Sequence, residues 1–344
     1  MPHIDFQQHA AMNDGTNGIN GPTIKKRGQF AEIWHRFKKN PLAIIGLCII
    51  ILMIALALLA PVLAPGDDFT PGYNLQDWGN VRQFPSADHI FGTDHLGRDV
   101  FSRIAHGARI SLLVGVVAIT IGVTFGMTIG SIAGYYGGIV DNVFMRIIDI
   151  ILAIPSILLA IAIVAAIGTG MFPVMIAVGF NAIPIYARTV RAQILAQRDQ
   201  EFVEAARASG ADDFRIVFKH ILPNCMAPVI VEASMGMAGA ILSAAGLSFI
   251  GIGLQPPVPE WGAMLSEGRQ FMLAGYWHLT IFPGLMIALI IFALNMMGDG
   301  LRDALDPKLR SASFSKRKFR RLQLQRAEEM MRETAITNVS GGEN

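Results

Sequence analysis

Long runs free of Asp, Glu, Lys and Arg alternate along the chain with short, densely charged stretches. A helix needs about 20 consecutive apolar residues to cross a hydrocarbon core roughly 30 Å thick. Six windows meet that demand: Leu42–Leu63, Ile110–Gly134, Ile150–Ile167, Met171–Ala187, Cys225–Leu254 and Phe271–Met297. The fourth is the shortest, and the fifth carries one acid, Glu232. The pattern predicts an all-α polytopic membrane protein with six transmembrane helices. The first window is longer than the roughly 7–15 apolar residues of a secretory signal core and follows a polar leader, so it reads as an uncleaved anchor.

Charge placement orients these spans, because Lys and Arg accumulate on cytoplasmic flanks. Residues 1–40 hold six such bases, Arg188–Asn224 six, and the stretch after Asp299 ten. Gly66–Ala108 instead carries six Asp against three Arg, and Gln255–Gln270 one Arg and two Glu. Both termini are therefore expected in the cytoplasm, which six spans satisfy. The expected organisation is a cytoplasmic tail over 1–40, a first transmembrane helix over 41–64 and an extracytoplasmic loop over 65–108. A five-helix core follows over 109–298, with a cytoplasmic segment at 188–224, and then a basic cytoplasmic tail over 299–344. Residues 1–24 and the last 30 or so are too polar to predict a fold. The basic run Lys316–Arg326 reads as a plain positive-inside tail, with a specific site for anionic membrane lipid as the less frequent alternative.

Composition agrees. Of 344 residues 52% are hydrophobic and 16% charged, against about a quarter charged in soluble domains. A net charge of +2 gives no reason to expect nucleic acid. The two cysteines, Cys48 and Cys225, lie in apolar runs without a metal or redox spacing and read as packing residues.

Within the spans, Gly122, Gly126, Gly130 and Gly134 recur every four residues and predict a close helix–helix contact, with a partner that spacing alone does not identify. Pro155, Pro173, Pro184, Pro228 and Pro283 predict interruptions, tolerated in lipid where freed backbone groups face protein or a water-filled cavity. Asp149, one turn after Arg146, is expected to pair with it. Glu232 has no base nearby in sequence and is a candidate for the translocation path, against the alternative that another helix satisfies it.

The stretch Arg191–Asn224 reads as helix, turn, helix. The first helix runs through Ser209, Gly210 stops it, and Asp212 or Asp213 caps a second short helix ending before Pro223. Glu204, Ala205, Ala206, Ala208 and Gly210 make a low knob suited to a groove on another protein.

Glu204-Ala205-Ala206, Gly210 and the closing Ile221-Leu222-Pro223 resemble the EAA signature of importer-type ABC transporter permeases. The runs FKKNPLAIIGL, FGTDHLGRDVFSRIAHGARISLLVG, FMRIIDIILAIPSILLA, GLSFIGIGLQPPVPEWGAMLSEGR and NMMGDGLRDALDPKLR, in this order, resemble the dipeptide and oligopeptide permease family. The likeness is to the subunit type with an extra N-terminal helix and outer loop, and covers roughly residues 30–310. It implies the importer-type ABC permease fold and a non-catalytic subunit of a bacterial cytoplasmic-membrane importer. The implied partners are a second related permease, two ABC ATPase subunits and an extracytoplasmic peptide-binding protein. No cofactor is expected on this chain, ATP with Mg belonging to the ATPases. The resemblance places Glu204, Ala205, Ala206, Gly210 and Asp212 at the ATPase contact and marks Gly92, Thr93, Asp94, Gly97, Arg98 and Asp99 as an outer-loop family motif. The residues themselves suggest only tight turns for the latter.

Rival readings have weaker support. His89, Asp94, His95 and Asp99 lack a recurring metal-ligand spacing, and neither H-E-x-x-H nor G-x-S-x-G occurs, which disfavours an intramembrane enzyme. A secondary carrier usually places several ionisable groups at mid-membrane, and here Glu232 is nearly alone. Gly298-Asp299-Gly300 reads as a helix stop. The absence of G-x-x-x-x-G-K-[ST] means that ATP hydrolysis, if it drives transport, happens elsewhere.

Overall fold

The computed structural model describes residues 29–67 and 70–306. It is helical, with no strands among the described residues beyond an isolated bridge between Thr93 and Asp99. The elements are α1 (Gln29–Phe37), α2 (Pro41–Leu63), α3 (Val100–Tyr136), α4 (Gly138–Ala153), α5 (Ser156–Ile167), α6 (Met171–Gln197) and α7 (Glu201–Ala208). They continue with α8 (Asp213–Ile250), which is π-helical over Ile216–Ile221, then α9 (Trp261–Met272) and α10 (His278–Leu305). Helices α2, α3, α6, α8 and α10 are each long and apolar enough to span a membrane, and α4 with α5 forms one further pair bent by 93°.

That bend corrects the expected continuous span Ile150–Ile167. A residue before proline is driven out of the helical region, and Ile154 is extended at φ −89°, ψ 127°, with Pro155 following at ψ 127°. The other prolines do not break their helices. Pro173 lies in the first turn of α6, where its missing N–H costs little, and Pro184, Pro228 and Pro283 sit inside continuous helices. The expected sixth span is one helix that starts later than the apolar run, at His278, because the run's first residues end α9 at Met272 and turn before α10. Gly298-Asp299-Gly300 does not stop α10. Gly298 and Gly300 are buried, and a Cβ on Gly300 would lie 2.2 Å from the Ala43 Cβ of α2, so small size here permits helix contact.

The glycine row of α3 finds its partner within the chain. A Cβ on Gly122 or Gly126 would lie 2.6 Å from Ala182 Cβ or 2.5 Å from Tyr186 Cβ, and Gly130 and Gly134 face Ala187 and Arg191. All of these partners are on α6, so α3 and α6 pack backbone to backbone along four turns. Cys225 is buried as expected, but Cys48 is exposed on the outer face of α2 and packs in no core.

Candidate functional site

Three features lie along the α3 axis: a folded loop at its start, a cavity beside its middle, and an exposed knob at its end. The loop, described over residues 64–67 and 70–99, is built by the motif residues. Gly92 (φ 75°) and Gly97 (φ 74°) adopt left-handed conformations, and a Cβ on Gly97 would stand 2.0 Å from the Asp77 carbonyl oxygen. Asp94 Oδ1 accepts from Leu96 N (2.8 Å) and Arg98 N (3.0 Å), closing an Asx turn. Asp99 caps α3 by accepting from Ser102 N at 2.7 Å and holds His89 Nδ1 at 3.0 Å. The Thr93 hydroxyl accepts from Gln83 N and donates to the Asn80 carbonyl, while its own carbonyl accepts from His278 Nε2 of α10.

Beneath this turn lies a buried four-charge cluster. Asp94 Oδ2 accepts from Arg98 Nε (2.6 Å) and Arg103 Nη1 (2.7 Å). Glu267 of α9 accepts from Arg98 Nη2 (3.1 Å) and from Arg103 Nη1. Both arginine side chains are no more than 2% exposed. Burial pushes the Asp94 carboxyl up, but the Arg103 and Arg98 guanidiniums and two backbone N–H groups outweigh it and hold the carboxyl below its ordinary value. His95 stacks on Phe271 (5.3 Å between centroids), and burial holds its imidazole below its ordinary value. The sequence reading named Asp94 and Arg98 but neither Arg103 nor Glu267. Glu267 lies 169 residues beyond Arg98, so no local pattern joins them.

At the opposite end of α3, α6 ends near Gln197 and the chain turns into α7. This short helix is anchored by Val203, fully buried with Ile194, Ile216, Val217 and Ile221, and ends at Gly210 (φ 81°). Glu204 and Ala205 are exposed, Ala206 is half-buried, and a Cβ on Gly210 would meet nothing within 4 Å. Asp212 heads α8, but its side chain makes no cap bond and lies 3.9 Å from Arg215 Nε. The second helix does not end before Pro223. It continues through the π-helical turn into the membrane span as one 38-residue helix, so the knob and the span share one rod. Phe202, Phe214 and Phe218 are 39%, 70% and 45% exposed around the knob, an apolar rim that the sequence reading missed. Its signal was available as aromatics on the polar side of the segment.

Hydrogen bonds tie the knob to its neighbours. Tyr135 of α3 donates to Asp213 Oδ1 (2.7 Å) and accepts from Arg207 Nη2 (3.4 Å), while Arg198 Nη1 donates to the Gly134 carbonyl (3.2 Å). Arg191 makes a two-pronged ion pair with Asp141 of α4. Asp149 pairs with Arg188 of α6 at 2.6 Å, not with Arg146. In the folded chain the α4–α6 contact competes successfully with the local i, i+3 partner.

Between these ends, chiefly α5, α6 and α8 line an open-sided cavity of about 620 Å³ beside the bend at Pro155. Its wall includes Glu232, Ser156, Asn181, Tyr186 and Ser243 among many apolar residues. The Tyr186 hydroxyl donates to the Glu232 backbone carbonyl (3.4 Å), and no ion pair to the Glu232 carboxylate occurs among the described residues. The sequence-predicted residues therefore form separate groups: loop motif, packing row, knob and cavity wall.

Comparison with known proteins gives these features a family. Residues 126–311 match the family model of the binding-protein-dependent transport system inner membrane component, and residues 28–85 match that of the N-terminal TM domain of oligopeptide transport permease C. The dipeptide transport system permease protein DppC of Alkalihalophilus pseudofirmus is 50% identical over 280 residues, covering 81% of this chain and 90% of that protein. The glutathione transport system permease protein GsiD of Escherichia coli is 46% identical over 313 residues, covering 90% of this chain and all of its own length (100%). Among solved structures, the MetNI methionine ABC transporter in an inward-facing conformation is 20% identical with a TM-score of 0.48, over 59% of this chain and 96% of that one. The chain thus belongs to the peptide ABC transporter permease family, as a multi-pass membrane protein carrying that family's additional N-terminal transmembrane domain.

Proposed function

We propose that the chain is one of two permease subunits of an ATP-driven importer for dipeptides or related short peptides. In this reading it is not a catalyst: it forms half of the path and meets the ATPase side of the complex through the knob Glu204–Gly210, with Asp212 at its edge, the complex holding two ATPase subunits. An extracytoplasmic binding protein delivers substrate to the loop side, and the bases around the knob support a cytoplasmic position for that end. The observation that carries the proposal is the knob itself, exposed at its tip, rimmed by aromatics and anchored underneath by Val203.

The packing suggests how movement of the knob would reach the path. The cluster that holds Val203 also contains Tyr186 and Val229, and Tyr186 lines the cavity. Interiors are close-packed and transmit displacement, so a push on α7 from closing ATPases would move α6 and α8 together. The Tyr135 bridge and the Arg191–Asp141 pair would carry the same push to α3 and to the bent α4–α5 pair. Glutathione, a modified tripeptide, is the second substrate reading, because the GsiD relative matches this chain over its whole length.

The test is to tag the chain, extract it gently from its native membrane and identify co-purifying proteins by mass spectrometry. The proposal expects a second permease and two Walker-motif ATPases. Recovery of a stable, folded chain alone would contradict it.

A further inference from the structure

The cavity wall has an unusual charge balance. Glu232 is its one formally charged residue, and neither Lys, Arg nor His lines it. The Tyr186 hydroxyl donates to the Glu232 backbone carbonyl, and one N–H of the Asn181 amide to the Ser156 carbonyl at 2.7 Å. Glu232 lies about two turns into the fifth apolar window, which starts at Cys225, about 10 Å in at 1.5 Å per residue. A half-buried carboxylate on the wall of a membrane span, with no ion-pair partner among the described residues, is costly, and the partner it calls for is a cation. The volume suits a small molecule, falling within the roughly 300–1,000 Å³ of ligand pockets.

We infer that this cavity is a transit subsite for a peptide's ammonium group, with Glu232 as its charge partner and the apolar wall around Ile157, Val178 and Leu242 receiving small side chains. The inference rests on the permease reading and adds a chemical preference to it. A positively charged amino terminus is held on its way through, and a peptide lacking it is passed poorly. The bend at Pro155 contributes by turning α4 and α5 aside, which leaves Ser156 and Ile157 at the cavity wall.

The test uses the complete transporter in liposomes, with both permeases, the ATPases and the binding protein. Dicyclohexylcarbodiimide, a carboxyl reagent that enters apolar sites, is mapped at Glu232 by mass spectrometry with dialanine or N-acetyl-dialanine as protectant at equal concentration. The expected result is labelling slowed several-fold by dialanine and unchanged by the acetylated form. Glu232→Gln is expected to lower dialanine uptake about tenfold at saturating binding protein, with Glu232→Asp retaining most of it. Equal protection by both peptides, or full uptake by the Gln variant, would overturn the inference. If the Gln variant fails to assemble, the labelling of the unmodified protein decides. Absence of ATP-dependent uptake in the unmodified transporter would instead refute the permease reading beneath it.

Discussion

Replacing Glu267 by Gln removes one of two carboxylates from a buried cluster that also holds two arginines. In the native chain the cluster is neutral, and Glu267 accepts from both guanidiniums. The glutamine amide retains one oxygen but turns an N–H2 group towards a donor, leaving net positive charge where both arginines are at most 2% exposed. Breaking a buried pair by deleting one partner costs about 3–5 kcal/mol, because the other charge stays buried without compensation. At about 2–4 °C per kcal/mol, the unfolding midpoint should fall by about 10 °C. The assay is thermal unfolding of the purified chain in nanodiscs. Arg103 already buries two guanidinium nitrogens, Nε and Nη2, without partners, so Glu267→Gln with Arg103→Met should be more stable than Glu267→Gln alone. A Glu267→Gln shift within about 0.5 kcal/mol of zero, as for an exposed salt bridge, would refute the reasoning. The pH dependence has a definite sign. Asp94 titrates below its ordinary 3.8 in the folded chain, so its contribution is complete above that value and is lost only as pH falls through the lowered one.

Other consequences are as specific. Glu260 is buried and accepts from Ala263 N at 2.9 Å, and burial raises its carboxyl above the ordinary 4.5, so its contribution is complete below that value and is lost as pH rises through the raised one. Glu260→Gln should therefore flatten that part of the stability–pH curve, which melting followed upwards from the ordinary 4.5 would show. Gly126→Leu should force α3 from α6 and cost at least the roughly 1–3 kcal/mol of overpacking, seen as lost yield of folded protein. Gly210→Val meets no neighbour but is strained at φ 81°; insertion should survive while uptake per ATP hydrolysed falls in the reconstituted transporter. Tyr135→Phe removes the bridge to Asp213 and Arg207, and should lower that same ratio with little change in melting temperature.

How far local rules reached is visible in particular residues. Apolar run length located α2, α3, α6 and α8, since lipid demands a continuous hydrogen-bonded helix. Glycine spacing announced a tight interface on α3, but only the folded chain assigns it to α6. Prolines at 155, 184 and 283 look alike in sequence. Pro184 and Pro283 are buried in helix contacts that hold their helices straight enough to continue, whereas the exposed Pro155 marks the bend. The loop motif was legible as turns. Its second role, burying Asp94 and Arg98 against Glu267, depends on a contact made across the bundle. Asp149 shows the same limit, its local partner Arg146 losing to Arg188 on another helix. The basic run Lys316–Arg326 lies outside the described residues.

Under the proposed function, this chain moves peptide only when powered through its knob. The direct measurement is uptake of labelled dialanine into liposomes holding this chain with its permease partner, ATPases and binding protein, with and without ATP. The expected uptake requires ATP and the binding protein and collapses in Gly210→Val although the complex remains assembled. Uptake by this chain alone, driven by an ion gradient and indifferent to ATP, would contradict it.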